Sequence, residues 1–103
     1  MKTVIDEKVL DTEDAILLES DSDDICQLYD SKNGYLFIQY NLSWEPKLVL
    51  IDFDKMKPHK GNFPSGGTAI FLGTDMNDKN GIWVTCSMFN KIVDFKKKNE
   101  RKN

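Results

Sequence analysis

The strongest constraint on the fold is a pair of alternating β-prone runs, Ile25–Tyr29 and Tyr35–Leu42, joined by Asp30-Ser31-Lys32-Asn33-Gly34. Asn33 and Gly34 take positive φ at little cost, so the segment is expected to close as a hairpin. In the second run Leu36, Ile38, Tyr40 and Leu42 share one face, and Tyr35, Phe37 and Gln39 share the other. Both faces are largely apolar, which predicts a central strand. Leu48–Phe53 follows the Trp44-Glu45-Pro46 turn as a further strand, with Val49, Ile51 and Phe53 inward and Asp52 and Asp54 outward. Thr68–Leu72 and Gly81–Cys86 predict a second hairpin across residues 75–81, which again ends on Asn-Gly.

Other segments read differently. Residues 57–68 contain two prolines and three glycines and are expected to form a twelve-residue loop with Phe63 pinned to the core. After Cys86 the apolar period lengthens: Met88, Phe89, Ile92, Val93 and Phe95 fall on one side of a helix. Ser87 is placed to cap that helix, and Lys96–Lys98 lie where cations favour the negative end of its dipole. Near the start, Asp11-Thr12-Glu13-Asp14 before Ala15–Leu18 fits a capped short helix or a strand. The expected fold is mainly β, an antiparallel sheet of about six strands arranged as a sandwich or open barrel, with a C-terminal helix; α+β is the alternative. A chain of 103 residues is the size of one domain, here 1–103 with a basic tail fraying from about residue 97.

Charge is unevenly spread. The net charge is −3, yet residues 1–30 hold ten acids against Lys2 and Lys8, whereas Lys96, Lys97, Lys98, Arg101 and Lys102 crowd the last eight positions. An acidic stretch of this kind can steer a cationic partner. Charge appears at Asp6 and Glu7 before any signal-peptide core forms, and no apolar run is long enough to span a bilayer. The expectation from these features is a cytoplasmic chain that does not enter membranes. In that reducing compartment Cys26 and Cys86, each beside alternating apolar residues, are expected to be small buried core residues.

No catalytic set emerges. His59 is the only imidazole and there is no CxxC pair, which disfavours zinc. In residues 75–86 the glycine is one place late and Cys86 stands where a calcium loop needs glutamate; the stretch from Asp21 lacks the glycine and has Lys32 at that place. Asp52 and Asp54 share a strand face, but no third acid, lysine or histidine is tied to them by a motif, so alternation accounts for them. Ser65-Gly66-Gly67-Thr68 lacks a phosphate-loop lysine. Tyr35, Phe37 and Trp83 offer stacking surfaces for nucleic acid, but a pI near 5.1 and a single arginine disfavour that partner. The expectation is a non-enzyme with no cofactor and no metal.

In size, acidity, compartment and absence of catalytic equipment the chain resembles the immunity proteins that neutralise secreted or contact-delivered bacterial toxins, such as those of contact-dependent growth inhibition. No residue pattern aligns with a family site. The resemblance implies occlusion of a toxin, often a nuclease with a basic cleft, by an acidic patch. The residues chosen for that patch are Glu19, Asp21, Asp23 and Asp24, with Tyr29, Tyr40 and Trp44 as rigid anchors. The alternatives are a phage or mobile-element inhibitor of a host defence protein, and a small β-sheet nucleic-acid module.

Overall fold

The computed structural model describes residues 1–21, 25–41, 46–62 and 67–100. The chain forms two compact units, Met1–Ile51 and Asp52–Asn103. Among the described residues there are nine strands in three antiparallel sheets, followed by one C-terminal helix. The mainly β, antiparallel character is as expected. The architecture differs in detail, with open ladders of two, four and three strands in place of a single sheet of about six.

The first unit opens with a hairpin that the alternation did not reveal, β1 (Lys2–Ile5) and β2 (Lys8–Asp11). Ile5 pairs with Lys8, leaving Asp6 and Glu7 as a two-residue loop with φ of 51° and 66°. Positive φ at both positions is the sign pattern of a type I′ turn, which fits the twist of paired strands but is usually supplied by Asn-Gly. Asp11 then caps a single 3₁₀ turn, Thr12–Asp14, its Oδ1 accepting from the Glu13 N–H at 3.1 Å. The chain continues directly into β3 (Ile16–Ser20). Both readings of this segment were therefore partly right: a capped turn, then a strand.

β3, β4 (Cys26–Asp30), β5 (Leu36–Tyr40) and β6 (Lys47–Leu50) form the four-stranded sheet in chain order. β5 is central, and Leu36, Phe37 and Ile38 are fully buried, as its two apolar faces require. Residues facing each other across the ladder share a face, so Tyr29, Phe37 and Leu50 lie together on one side. There Phe37, Leu48 and Leu50 pack with Leu10 of β2, while Ile5, Ala15, Tyr29 and Tyr35 are half-buried at the margin. The Tyr35 hydroxyl donates to the Val9 carbonyl at 2.6 Å, tying the β4–β5 connection to the first hairpin. In that connection Lys32 and Gly34, and not Asn33, carry positive φ. The Asp30 carboxylate and the Ser31 hydroxyl organise the turn by accepting from the N–H groups of Lys32 and Asn33.

β6 ends at Leu50, earlier than expected, and its buried residues are Leu48 and Leu50 rather than Val49. Asp52 opens a turn, its Oδ1 accepting from the N–H of Asp54 at 2.9 Å and of Lys55 at 3.3 Å. The two aspartates therefore do not share a strand face.

The second unit holds β7 (Lys57–Asn62), β8 (Thr68–Gly73) and β9 (Ile82–Thr85), with β8 in the middle. The first half of the expected 57–68 loop is thus an edge strand. Pro58 is tolerated there because an edge residue need not donate outward. Gly61 is required by a close approach: a Cβ at this position would lie 2.7 Å from the Trp83 ring. Phe63, expected to be pinned, lies outside the described residues.

α1 (Cys86–Glu100) follows β9, packs on β8 and β9, and buries Met88 and Ile92, while Phe89, Val93 and Phe95 are half-buried. Its cap is Thr85, whose Oγ1 accepts from the Met88 N–H at 3.1 Å, rather than Ser87. The helix runs to Glu100. Cys86, expected in the core, begins the helix and is exposed; Cys26 is buried as expected.

Candidate functional site

Of the four acids proposed for the binding patch, Glu19 and Asp21 lie at one end of β3. Glu19 is half-buried on β3 opposite Leu28, and Asp21 follows the strand. The Asp21 Oδ1 accepts from the Ile25 N–H at 2.7 Å, and its own N–H donates to the Cys26 carbonyl at 3.0 Å. Asp21 therefore also shapes the β3–β4 connection. Tyr40, half-buried at the end of β5, lies opposite Cys26 on one side and Lys47 on the other, at the same end of the sheet and on the same face as Glu19.

Tyr29 is not part of this group. It lies toward the other end and on the opposite face, its ring stacked on Phe37 with centroids 5.3 Å apart and planes at 11°. Asp23, Asp24 and Trp44 fall outside the described residues. Of the chosen anchors, Tyr40 thus shares an end and a face of the sheet with Glu19, two strands away, and Tyr29 is committed to the margin of a core cluster.

The selection missed a second acidic group at the other end of β3. Asp11, Glu13 and Asp14 lie at or beside the 3₁₀ turn that precedes the strand, and Asp30 stands opposite Ile16. Lys32 offsets part of this charge, its Nζ lying 3.4 Å from the Asp14 Oδ1, although both side chains are well exposed and such pairs contribute little. The run of acids was visible in the sequence. Only the course of β3 separates it into two groups flanking one strand.

The charge division seen along the sequence coincides with the division into units. Met1–Ile51 contains eleven acids against four lysines, or −7; Asp52–Asn103 contains six acids against ten Lys and Arg, or +4.

Elsewhere, several carboxylates are engaged in local backbone structure. The Asp78 carboxylate accepts from the N–H groups of Thr74 (2.8 Å) and Asn80 (2.9 Å), which hold its pKa below the usual carboxylate range. Asp75 accepts from the Asn77 N–H at 2.8 Å, so the 75–81 segment uses these carboxylates to fold its own backbone. Burial, and secondarily the charge of Asp21, push the Cys26 thiol up to about 12, leaving it protonated and a poor nucleophile. His59 lies on β7 with its ring tilted against Phe71, and its Nε2 is buried without a hydrogen-bond partner among the described residues. Among those residues no three His, Cys, Asp or Glu side chains are grouped to hold a metal ion.

Each of the three aromatics considered for base stacking is engaged within its own unit. Phe37 is fully buried, Tyr35 is bonded through its hydroxyl to the first hairpin, and Trp83 packs against Phe71 (5.1 Å between centroids) and over Gly61. No helix among the described residues is long and apolar enough to cross a membrane. No protein family, curated protein or solved structure matches the chain.

Proposed function

We propose that this protein is a binding inhibitor of the immunity type, acting in the cytoplasm, whose acidic unit Met1–Ile51 docks into the basic cleft of a cognate bacterial toxin and occludes it. The toxin class that suits the charge is a nuclease, because a cleft built for phosphates is cationic. The carrying observation is the coincidence of charge with structure: −7 resides in a single compact unit instead of being spread over the surface. Concentrated charge accelerates encounter. Steered association approaches ~10⁸–10⁹ M⁻¹s⁻¹ at low salt against roughly 10⁵–10⁶ without steering, which suits an antidote that must act before damage is done.

The test is stopped-flow association with the toxin domain that the chain neutralises on co-expression, comparing the native chain with a double reversal of Asp23 and Asp24 to Lys, which keeps the Asp21 carboxylate that accepts from the Ile25 N–H. The expected result is a slower on-rate with weaker salt dependence and an unchanged circular-dichroism spectrum. An unchanged on-rate removes these acids from the mechanism. The charge of +4 on Asp52–Asn103 favours a second reading, nucleic-acid binding by that unit. A gel shift with single-stranded DNA at two salt concentrations decides it.

A further inference from the structure

The edges of the two larger sheets are treated in opposite ways. β7 carries Lys57, Pro58 and Lys60, the residues with which proteins blunt an edge against strand addition. β3, at an edge of the four-stranded sheet among the described residues, reads Ile-Leu-Leu-Glu-Ser and has no lysine or proline. Ile16 is 50% exposed and Leu17 51%. They face opposite sides of the sheet, Ile16 with Asp30 and Leu17 with Tyr29, so an added strand would find an apolar neighbour on each of its faces. The β3–β4 register shifts between Leu17 and Glu19, which confines a straight pairing edge to the first half of the strand.

We infer that the Ile16–Leu18 edge of β3 is a strand-addition site for an extended, cationic segment of a partner protein. The inference rests on the proposed reading of a cationic protein partner and names where that partner pairs. Charge selects the occupant. Glu13 and Asp14 precede the edge, and Glu19 and Asp21 follow it. A second copy pairing antiparallel about the Leu17–Leu18 midpoint would set Asp14 opposite Asp21, a like-charge pairing that disfavours self-association. A strand with Lys or Arg at both ends and apolar or β-branched residues in its centre meets complementary charge at each end and contributes main-chain hydrogen bonds in the middle.

The probe is the peptide acetyl-Lys-Lys-Val-Thr-Val-Thr-Val-Lys-Lys-amide, with a control in which Glu replaces every Lys. Binding is followed by amide exchange and calorimetry on the full chain. The expected result is slowed exchange at the amides of Ile16–Leu18 that point away from β4, affinity at least about fivefold weaker when ionic strength is raised from about 0.01 M to about 1 M, and no binding of the Glu peptide. Absence of protection at these amides, or equal binding of the two peptides, overturns the proposal. The double variant I16K/L17K changes only exposed side chains and is expected to lose the peptide. If that variant fails to fold, the comparison of the two peptides on the native chain still decides. An I16K/L17K variant that still neutralises the toxin, while reversal of Asp23 and Asp24 does not, overturns the strand-addition site and leaves the acidic-inhibitor reading intact.

Discussion

The first hairpin turn is the place where sequence and conformation are most at odds, and it can be tested by a single substitution. Glu7 holds φ of 66° with a side chain that disfavours it. Left-handed backbone costs an L-residue roughly 1–2 kcal/mol, and glycine avoids that cost while losing an extra ~0.5–1 kcal/mol of chain entropy on folding. Glu7→Gly should therefore stabilise the protein by about 0.5–1 kcal/mol. For a chain near 100 residues this corresponds to a rise in Tm of roughly 3–6 °C. Glu7→Ala removes the same charge but keeps a Cβ, so it serves as the control and is expected to give no such gain. Thermal unfolding of the three proteins, followed by circular dichroism at one pH and ionic strength, provides the readout. A Gly variant no more stable than the Ala variant would refute the turn geometry and, with it, the β1–β2 register.

Four further outcomes follow from the packing and the polar groups. Gly81→Ala places a methyl group inside the space of the Phe71 ring and should cost about 1–3 kcal/mol, measured by urea unfolding. A thiol titration of the native protein at pH 8 should modify exposed Cys86 rapidly and leave Cys26 untouched until denaturant is added. The Cys26 thiol is pushed from 9.0 to about 12 in the folded state, so the unfolded chain gives up this proton first; folding stability should fall as pH rises from about 9 toward 12, and Cys26→Ala should flatten that fall. Asp78 has the opposite sign: its lowered pKa contributes stability above 3.8 that is lost as pH falls through the folded value, and Asp78→Ala should reduce the acid sensitivity of the 74–81 segment in hydrogen exchange.

Of the proposed binding residues, the acids were legible as a class but not as a surface. Counting charges along the chain finds the acidic half, because charge is a property of composition. Which acids stand beside one another depends on where β3 begins and ends, and its two flanking groups are separated by the strand itself. Tyr29 illustrates the same limit for aromatics. Nothing in Cys-Gln-Leu-Tyr-Asp distinguishes an anchor offered to a partner from a ring stacked on Phe37, because the partner ring comes from another strand.

The sequence by itself determined the antiparallel β character, the central position of β5, the helix after β9 and the polarity between the two halves. Each is a local signal: two-residue alternation, an apolar stripe, a run of like charge. The tertiary structure decided the features that depend on a distant neighbour. A strand with Pro58 and Gly61 exists because β8 supplies its ladder and Trp83 occupies the space over the glycine. The first hairpin holds Asp6 and Glu7 in left-handed backbone because Leu10 and Ile5 are packed on the four-stranded sheet and Tyr35 bonds Val9. Buried apolar area outweighs the roughly 1–2 kcal/mol of strain per turn residue, and no window of sequence contains both sides of that comparison.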